Sequence, residues 1–220
     1  IMQYFKLFLI VSSITLFSSC IKERRDIRGM EKFEYLDTDR GYIFYKPDNL
    51  PANAPLVFVL HGFGGNAEWI KDYSRMNEIA DQNGFAVCYP QGRRVGGNGD
   101  THWNARLSLS TIDDVGFLSS LAQFLQSEHN LNPNKTFSCG MSNGGFMSYT
   151  LACEAPNVFK AIASITGTMS GESWNTINMS ASSIPATPIL HIHGTQDDIV
   201  PIDGTMNEEG GWGGAPAVDS

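Results

Sequence analysis

The stretch TFSCGMSNGGF, Thr136 to Phe146, decides the fold. Its first half is apolar and β-prone, as a buried strand should be. Gly140-Met141-Ser142-Asn143-Gly144 then forms a Gly-x-Ser-x-Gly frame. The residues from Asn143 to Glu154 follow a helical pattern, and Pro156 stops it. A serine between a buried strand and a helix is placed for a nucleophile elbow, a tight strained turn that lifts Oγ above the end of a sheet. Glycines on either side fit that geometry, because side chains there would clash with the neighbouring strand and helix. The competing reading is a turn that opens a helix, with Ser142 as its N-cap.

Outward from this turn the chain alternates. On the N-terminal side, KFEYL and GYIFYKP within Glu31–Pro47 are strand-like, and PLVFVLHG (Pro55–Gly62) is a continuous apolar run ending in glycine. Trp69, Ile70, Tyr73, Met76, Ile79 and Ala80 recur at helical spacing until Asn83-Gly84, which predicts one helix with Trp69 in the core. FAVCYP (Phe85–Pro90) is the next strand. Residues Gln91–Ser110 read as a long glycine-rich loop. Thr111–His129 reads as a helix with a Thr111-x-x-Asp114 capping pattern and an apolar face of Val115, Leu118, Leu121, Ala122 and Leu125. AIASITG and PILHIHG are two further buried strands. Strands alternating with helices predict an α/β fold, a mostly parallel sheet with helices on both faces.

An activated serine needs partners. Two N–H donors should face the oxyanion: the amide of Asn143, after the nucleophile, and one from the loop HGFGG (His61–Gly65), with Phe63 the candidate. His61 itself, at the end of a buried strand, reads as a residue bonded locally to hold that loop. The acid is expected at the end of the strand in HIHGTQDDIVP (His191–Pro201), where Asp197 and Asp198 both qualify. His191-x-His193 places two imidazoles on one strand face, the start of a metal site, but no third ligand accompanies them. In the order Ser, Asp, His along the chain, a histidine should follow Asp197. The five histidines are His61, His102, His129, His191 and His193, and all precede it. His129 reads as a charge at a helix C-terminus, and His102, in the long loop, is the one substitute base.

Composition bounds the remaining possibilities. The 220 residues are 42% hydrophobic and 17% charged, enough for one domain with a true core. A net charge of −8, with no basic run beyond Lys22-Glu23-Arg24-Arg25, excludes a nucleic-acid-binding surface. Residues 1–20 read as a signal peptide. Its apolar run, Leu7–Phe17, is too short to span a bilayer, and Leu16-Phe17-Ser18-Ser19 before Cys20 has the form of a lipobox. Cys20 is then the lipidated first residue of an exported envelope protein and its membrane anchor. Residues 21–31 form a tether and 32–220 the domain. Cys88, Cys139 and Cys153 remain, and no disulfide is assigned among them.

The segments LHGFGG, YPQG, WNA, DDVGF, CGMSNGGFMSYTLACEAPNVF, AIASITGTM and HIHGTQDDIVP together resemble the secreted polyhydroxybutyrate depolymerase and feruloyl esterase group of the α/β-hydrolases, the family-one carbohydrate esterases. The resemblance covers most of Leu56–Pro201. It implies Ser142 as nucleophile and Asp197, the aspartate of His-Gly-Thr-x-Asp, as acid. It also implies an α/β-hydrolase domain incomplete at the C-terminus, whose final strand, histidine loop and helix lie beyond residue 220. The expected activity is that of a serine esterase needing no metal or organic cofactor. Expected substrates are polymeric or aryl esters: feruloyl or acetyl groups on polysaccharide, or polyhydroxyalkanoate. Trp69, Trp103 and Trp212 are candidates to stack on an aromatic acyl group or a sugar. Two other readings compete, a non-catalytic surface lipoprotein that binds glycan or polyester, and a serine peptidase.

Overall fold

The computed structural model describes residues 27–94, 99–180, 185–205 and 213–218. The leader, Cys20 and Trp212 lie outside them. Among the described residues there are nine strands: β1 (Glu31–Tyr35), β2 (Thr38–Tyr45), β3 (Leu56–Leu60), β4 (Ala86–Pro90), β5 (Arg93–Arg94), β6 (Thr101–His102), β7 (Thr136–Met141), β8 (Ala161–Ile165) and β9 (Ile189–Ile192). Five helices accompany them: α1 (Ala67–Ser74), α2 (Met76–Asn83), α3 (Asp114–Glu128), α4 (Asn143–Glu154) and α5 (Gly171–Ser180). Seven strands form one sheet in the order β1-β2-β4-β3-β7-β8-β9. The β1–β2 and β2–β4 pairs are antiparallel, and every other pair in this sheet is parallel.

Period-two alternation divides the core between the two sheet faces. Leu56, Phe58 and Leu60 of β3, with Cys88 of β4, point to one side. There Phe117, Leu118, Leu121 and Leu125 of α3 and Met147 and Leu151 of α4 cover them. Val59, Val87 and Tyr89 point to the other side, under Ala67 and Ile70 of α1 and Ala80 of α2. This is the two-faced α/β arrangement expected. Cys88 and Cys139 sit in β4 and β7, and all three described cysteines are free thiols. Burial raises Cys139 to about 12 and Cys153 to about 11, so both are inert fillers rather than reactive groups.

Three expectations change. The helix predicted through Asn83 is two helices, broken at Arg75. That residue adopts a left-handed conformation (φ 51°, ψ 29°) and caps α1, its N–H donating to the Lys71 carbonyl. The break turns the apolar stripe, leaving Ile70 and Ala80 buried while Trp69 is 43% exposed and stacks on Tyr73 at 4.8 Å. The cap of α3 is Asp113 rather than Thr111, its Oδ1 accepting from the Gly116 N–H at 2.9 Å. Asp114 is no surface acid: it is buried against Arg40 at 2.7 Å, and the Arg40 guanidinium lies 3.8 Å from the Phe117 ring centre. Lastly, the described parts of the predicted long loop, residues 91–94 and 99–110, are organised. Arg93–Arg94 pairs with Thr101–His102, and Trp103, Ala105 and Leu107 enter the core. Trp103 is fully buried and unavailable to stack on a ligand.

Candidate active site

Strand β7 delivers Ser142 to the end of the sheet, and α4 begins at the next residue. Ser142 holds φ 52° and ψ −120°, a backbone conformation that costs an L-residue on the order of 1–3 kcal/mol. Its side chain makes no capping hydrogen bond, so the helix-cap reading of this serine fails. What holds the turn is backbone. The Ser142 N–H donates to the Ile165 carbonyl at 2.8 Å, and its own carbonyl accepts from the Phe146 N–H at 3.0 Å. A Cβ on Gly140 would collide with the backbone of Gly144, and one on Gly144 with the Leu60 carbonyl. Both glycines of the frame are therefore dictated by close backbone approach, as the sequence pattern predicts.

The loop after β3 runs beside this turn. A Cβ on Gly62 would lie 3.6 Å from the Ser142 Cβ. Within that loop the Gly64 N–H donates to the Thr101 carbonyl at 2.7 Å and the Gly65 N–H to the Gly62 carbonyl at 3.0 Å. Among the described residues no acceptor takes the Phe63 N–H. The Asn143 N–H, in the first turn of α4, has no intrahelical partner either. Both amides sit where the positive end of a helix and an open loop can offer hydrogen bonds to an anion.

Side chains lock these two arms together. Asn143 accepts from the Trp103 N–H through Oδ1 at 2.7 Å and donates through Nδ2 to the Trp103 carbonyl at 3.1 Å. The Trp103 indole N–H donates to the His61 carbonyl at 3.0 Å. His61 is fully buried, and the Gly92 N–H donates to its Nε2 at 3.0 Å. That leaves Nδ1 to carry the proton and donate to the Gly62 carbonyl at 2.8 Å. Burial lowers the His61 pKa to about 4, so the ring is neutral and structural. The long-loop tryptophan is thus a brace for both arms, a role that spacing alone does not signal.

Ser142 and Asn143 open on a cavity of about 280 Å³ whose other walls are Phe63, Leu107, Leu109, Phe146, Ile199 and Val200. Apart from Ser142 and Asn143 that lining is wholly apolar, and Phe63 stands half-exposed at its edge. Ile199 and Val200 belong to the turn after β9, which also carries Asp197. The carboxylate's Oδ1 accepts from the Ile199 N–H at 3.0 Å and the Val200 N–H at 2.9 Å. Its Oδ2 lies 3.7 Å from His193 Nε2. Asp198, the alternative acid, is exposed. The fold therefore gathers Ser142, Asn143 and Phe63 around one cavity and brings the turn of Asp197 to its wall.

No imidazole among the described residues is hydrogen-bonded to Ser142. His102 is buried in β6, its Nδ1 bonded to the Asp100 carbonyl at 2.9 Å and its ring 5.9 Å from that of Phe63. His129 caps α3 and stacks on Phe44 at 4.3 Å, so it packs as well as terminating the helix. His191 and His193 bond to each other at 3.0 Å rather than standing as open ligands. Among the described residues no group of three His, Cys, Asp or Glu side chains is arranged to hold a metal ion.

The profile of the family described as "Esterase PHB depolymerase" matches residues 41–218, most of the chain and all of the site just described. The chain belongs to this family. Among curated relatives, the putative esterase NocK of Nocardia uniformis is 31% identical over 160 residues, 70% of this chain and 43% of that protein. A probable feruloyl esterase C of Aspergillus flavus is 28% identical over 85% of this chain and 64% of its own length. The bifunctional acetylxylan esterase/xylanase XynS20E of Neocallimastix patriciarum is 29% identical over 71% of this chain but 21% of its own. The chain thus spans under two thirds of the length of each. Among solved structures, an acetyl xylan esterase from Aspergillus awamori superposes with a TM-score of 0.53 at 21% identity, covering 64% of this chain and 53% of that one. The Staphylococcus aureus serine hydrolase FphF gives 0.62 at 12% identity, over 77% and 79% of the two chains. At such identities these two establish the α/β-hydrolase fold. Among the described residues no helix is long and apolar enough to cross a membrane.

Proposed function

We propose that this protein is a serine esterase acting on carboxylic esters of polymers, with Ser142 as nucleophile. The observation that carries the reading is the strained, glycine-flanked Ser142 at the mouth of an apolar cavity, with the first amide of α4 beside it. In this mechanism Ser142 Oγ attacks the ester carbonyl. The developing oxyanion is held by the Phe63 and Asn143 N–H groups, each donor contributing roughly 100- to 1,000-fold. Asp197 is the acid of the triad, its Oδ1 fixed by two backbone amides and its Oδ2 left to face an imidazole. In the Ser, Asp, His order of the fold, that imidazole follows Asp197 along the chain. Water then releases the acyl group.

The cavity wall favours an apolar or aryl acyl group, because Leu107, Leu109 and Phe146 line it with apolar side chains. Feruloyl and acetyl esters of polysaccharide, or a hydroxyalkanoate polyester, fit this description and agree with what the relatives are named for. Export and an anchor at Cys20 complete the reading, giving the enzyme access to extracellular polymer.

The test is a comparison of the whole protein with its Ser142→Ala variant. The whole protein should hydrolyse aryl and acetyl esters, spare amides, and be labelled at Ser142 by a fluorophosphonate. Ser142→Ala should lose turnover by on the order of 10⁶-fold with an unchanged fold. Retained turnover in the variant would sink the proposal, and retention of glycan without hydrolysis would favour a binding protein instead.

A further inference from the structure

A chain of three side chains runs outside the cavity, from the nucleophile's helix to the turn that carries the acid. Tyr149 lies on α4, about two helical turns beyond Ser142. Its hydroxyl is 2.9 Å from His191 Nδ1. His191 Nε2 is 3.0 Å from His193 Nδ1, and the two rings are parallel to within 4°. His193 Nε2 is 2.6 Å from the Val200 carbonyl oxygen. A carbonyl only accepts, so a neutral His193 carries its proton on Nε2 and accepts on Nδ1. His191 must then carry its proton on Nε2 and accept on Nδ1, and the Tyr149 hydroxyl donates. One fixed acceptor orients every donor in the series.

The location gives this series a purpose. The strand that leads into the acid's turn is poorly packed: Ile189, Leu190 and Ile192 of β9 are 46%, 59% and 53% exposed. In the turn after β9 itself, Val200 is buried in the core and Ile199 is exposed. Yet the His193 side chain is only 2% exposed, and its partner Val200 both walls the cavity and donates its N–H to Asp197. Burial also lowers His191, with neighbouring His193 acting in the same direction, which favours the neutral ring the series uses.

We propose that Tyr149, His191 and His193 are positioning residues for the acid, a polar strut that fixes the Asp197 turn relative to the helix carrying Ser142. The inference rests on the assignment of Ser142 and Asp197 given above. The strut makes no contact with the reacting atoms. It acts because catalytic groups tolerate little displacement, a misplacement of about 1 Å costing on the order of 100-fold in rate.

Two measurements on the whole protein test it. Imidazole ¹⁵N NMR should show His191 and His193 both in the Nε2–H form, against the Nδ1–H form of His61. Tyr149→Phe, which removes one hydroxyl and keeps the ring, should leave His191 in its Nε2–H form, held by His193, but shift the His191 Nδ1 resonance as that nitrogen loses its donor. It should also lower kcat on p-nitrophenyl acetate about 10-fold with KM within about twofold, since the cavity is untouched. An Nδ1–H form of His193 in the unsubstituted protein would overturn the strut. So would a Tyr149→Phe enzyme with unchanged kcat. Absence of both hydrolysis and fluorophosphonate labelling in the unsubstituted protein is a different failure. It removes the esterase reading and this role with it, while the tautomers still report whether the hydrogen-bond series exists.

Discussion

The two halves of the site are held by different physics. Around Ser142 the constraint is backbone against backbone: β7 lies between β3 and β8, and Gly140 and Gly144 leave no room for a methyl group. Beneath it lie fully buried side chains, Trp103, His61 and Met147 among them. Around Asp197 the constraint is a short series of hydrogen bonds within the turn after β9 and from His193 to it. A strained conformation persists only where its surroundings over-determine it, and the interior of a parallel sheet provides that. In the proposed triad the acid only orients an imidazole and needs no strain. Substitutions near Ser142 should therefore cost stability, and those near Asp197 should cost activity alone.

The largest contrast should come from Asp197→Asn. The amide oxygen still accepts from Ile199 and Val200, so melting should shift by no more than a few degrees. Hydrolysis by the whole protein should nevertheless fall about 10⁴-fold, as when the same substitution in a serine triad leaves the imidazole in the wrong tautomer. Gly144→Ala is the opposite case. It drives a methyl group into the Leu60 carbonyl and should cost upwards of about 4 kcal/mol, read by denaturant unfolding. A variant that unfolded at the wild-type denaturant concentration would dissolve the distinction between the two regions.

His61 sharpens the comparison through pH. Its folded pKa of about 4 lies below the ordinary 6.5 because burial disfavours the imidazolium. The unfolded chain therefore binds the proton first. The contribution to stability is complete above pH 6.5 and is lost as pH falls from there towards 4, in total about 3 kcal/mol. Melting temperature against pH should decline over that window, and His61→Gln should flatten this part of the decline. Trp103→Phe comes next. It strands the His61 carbonyl without its indole donor and should cost about 1–3 kcal/mol, together with a lower kcat as the oxyanion arms loosen. The smallest effect belongs to the outer strand: Ile192→Thr, at a half-exposed site, should alter stability by no more than about 0.5 kcal/mol. A loss of several kcal/mol there would mean that β9 is buried in the whole protein.

Much of this is legible in the order of residues. The Gly-x-Ser-x-Gly frame between an apolar strand and a helical run requires an elbow, and alternating elements require a parallel sheet, because those signals are local and steric. The residues that steady the site are not legible. Asp114 reads as a first-turn acid in the sequence, yet it is buried against Arg40, seventy-four positions away. Trp103 sits in what reads as a loop, yet it braces Asn143 and His61. His191-x-His193 suggests half a metal site, yet its partners are Tyr149 and Val200.

By itself, the sequence determined where the chain must turn tightly, which apolar runs form strands, and which serine and which acidic pair are candidates for chemistry. The expectation that PILHIHG is buried is not borne out, since Ile189, Leu190 and Ile192 are exposed. Propensity and the size of a side chain act over a few residues and leave their mark in spacing. Only the tertiary structure decided that Asp197 rather than Asp198 is anchored at the cavity wall, that Arg75 breaks a helix, and that Trp103 belongs to the core. Those outcomes depend on hydrogen bonds and burial between elements far apart in the chain, whose partners no local pattern names.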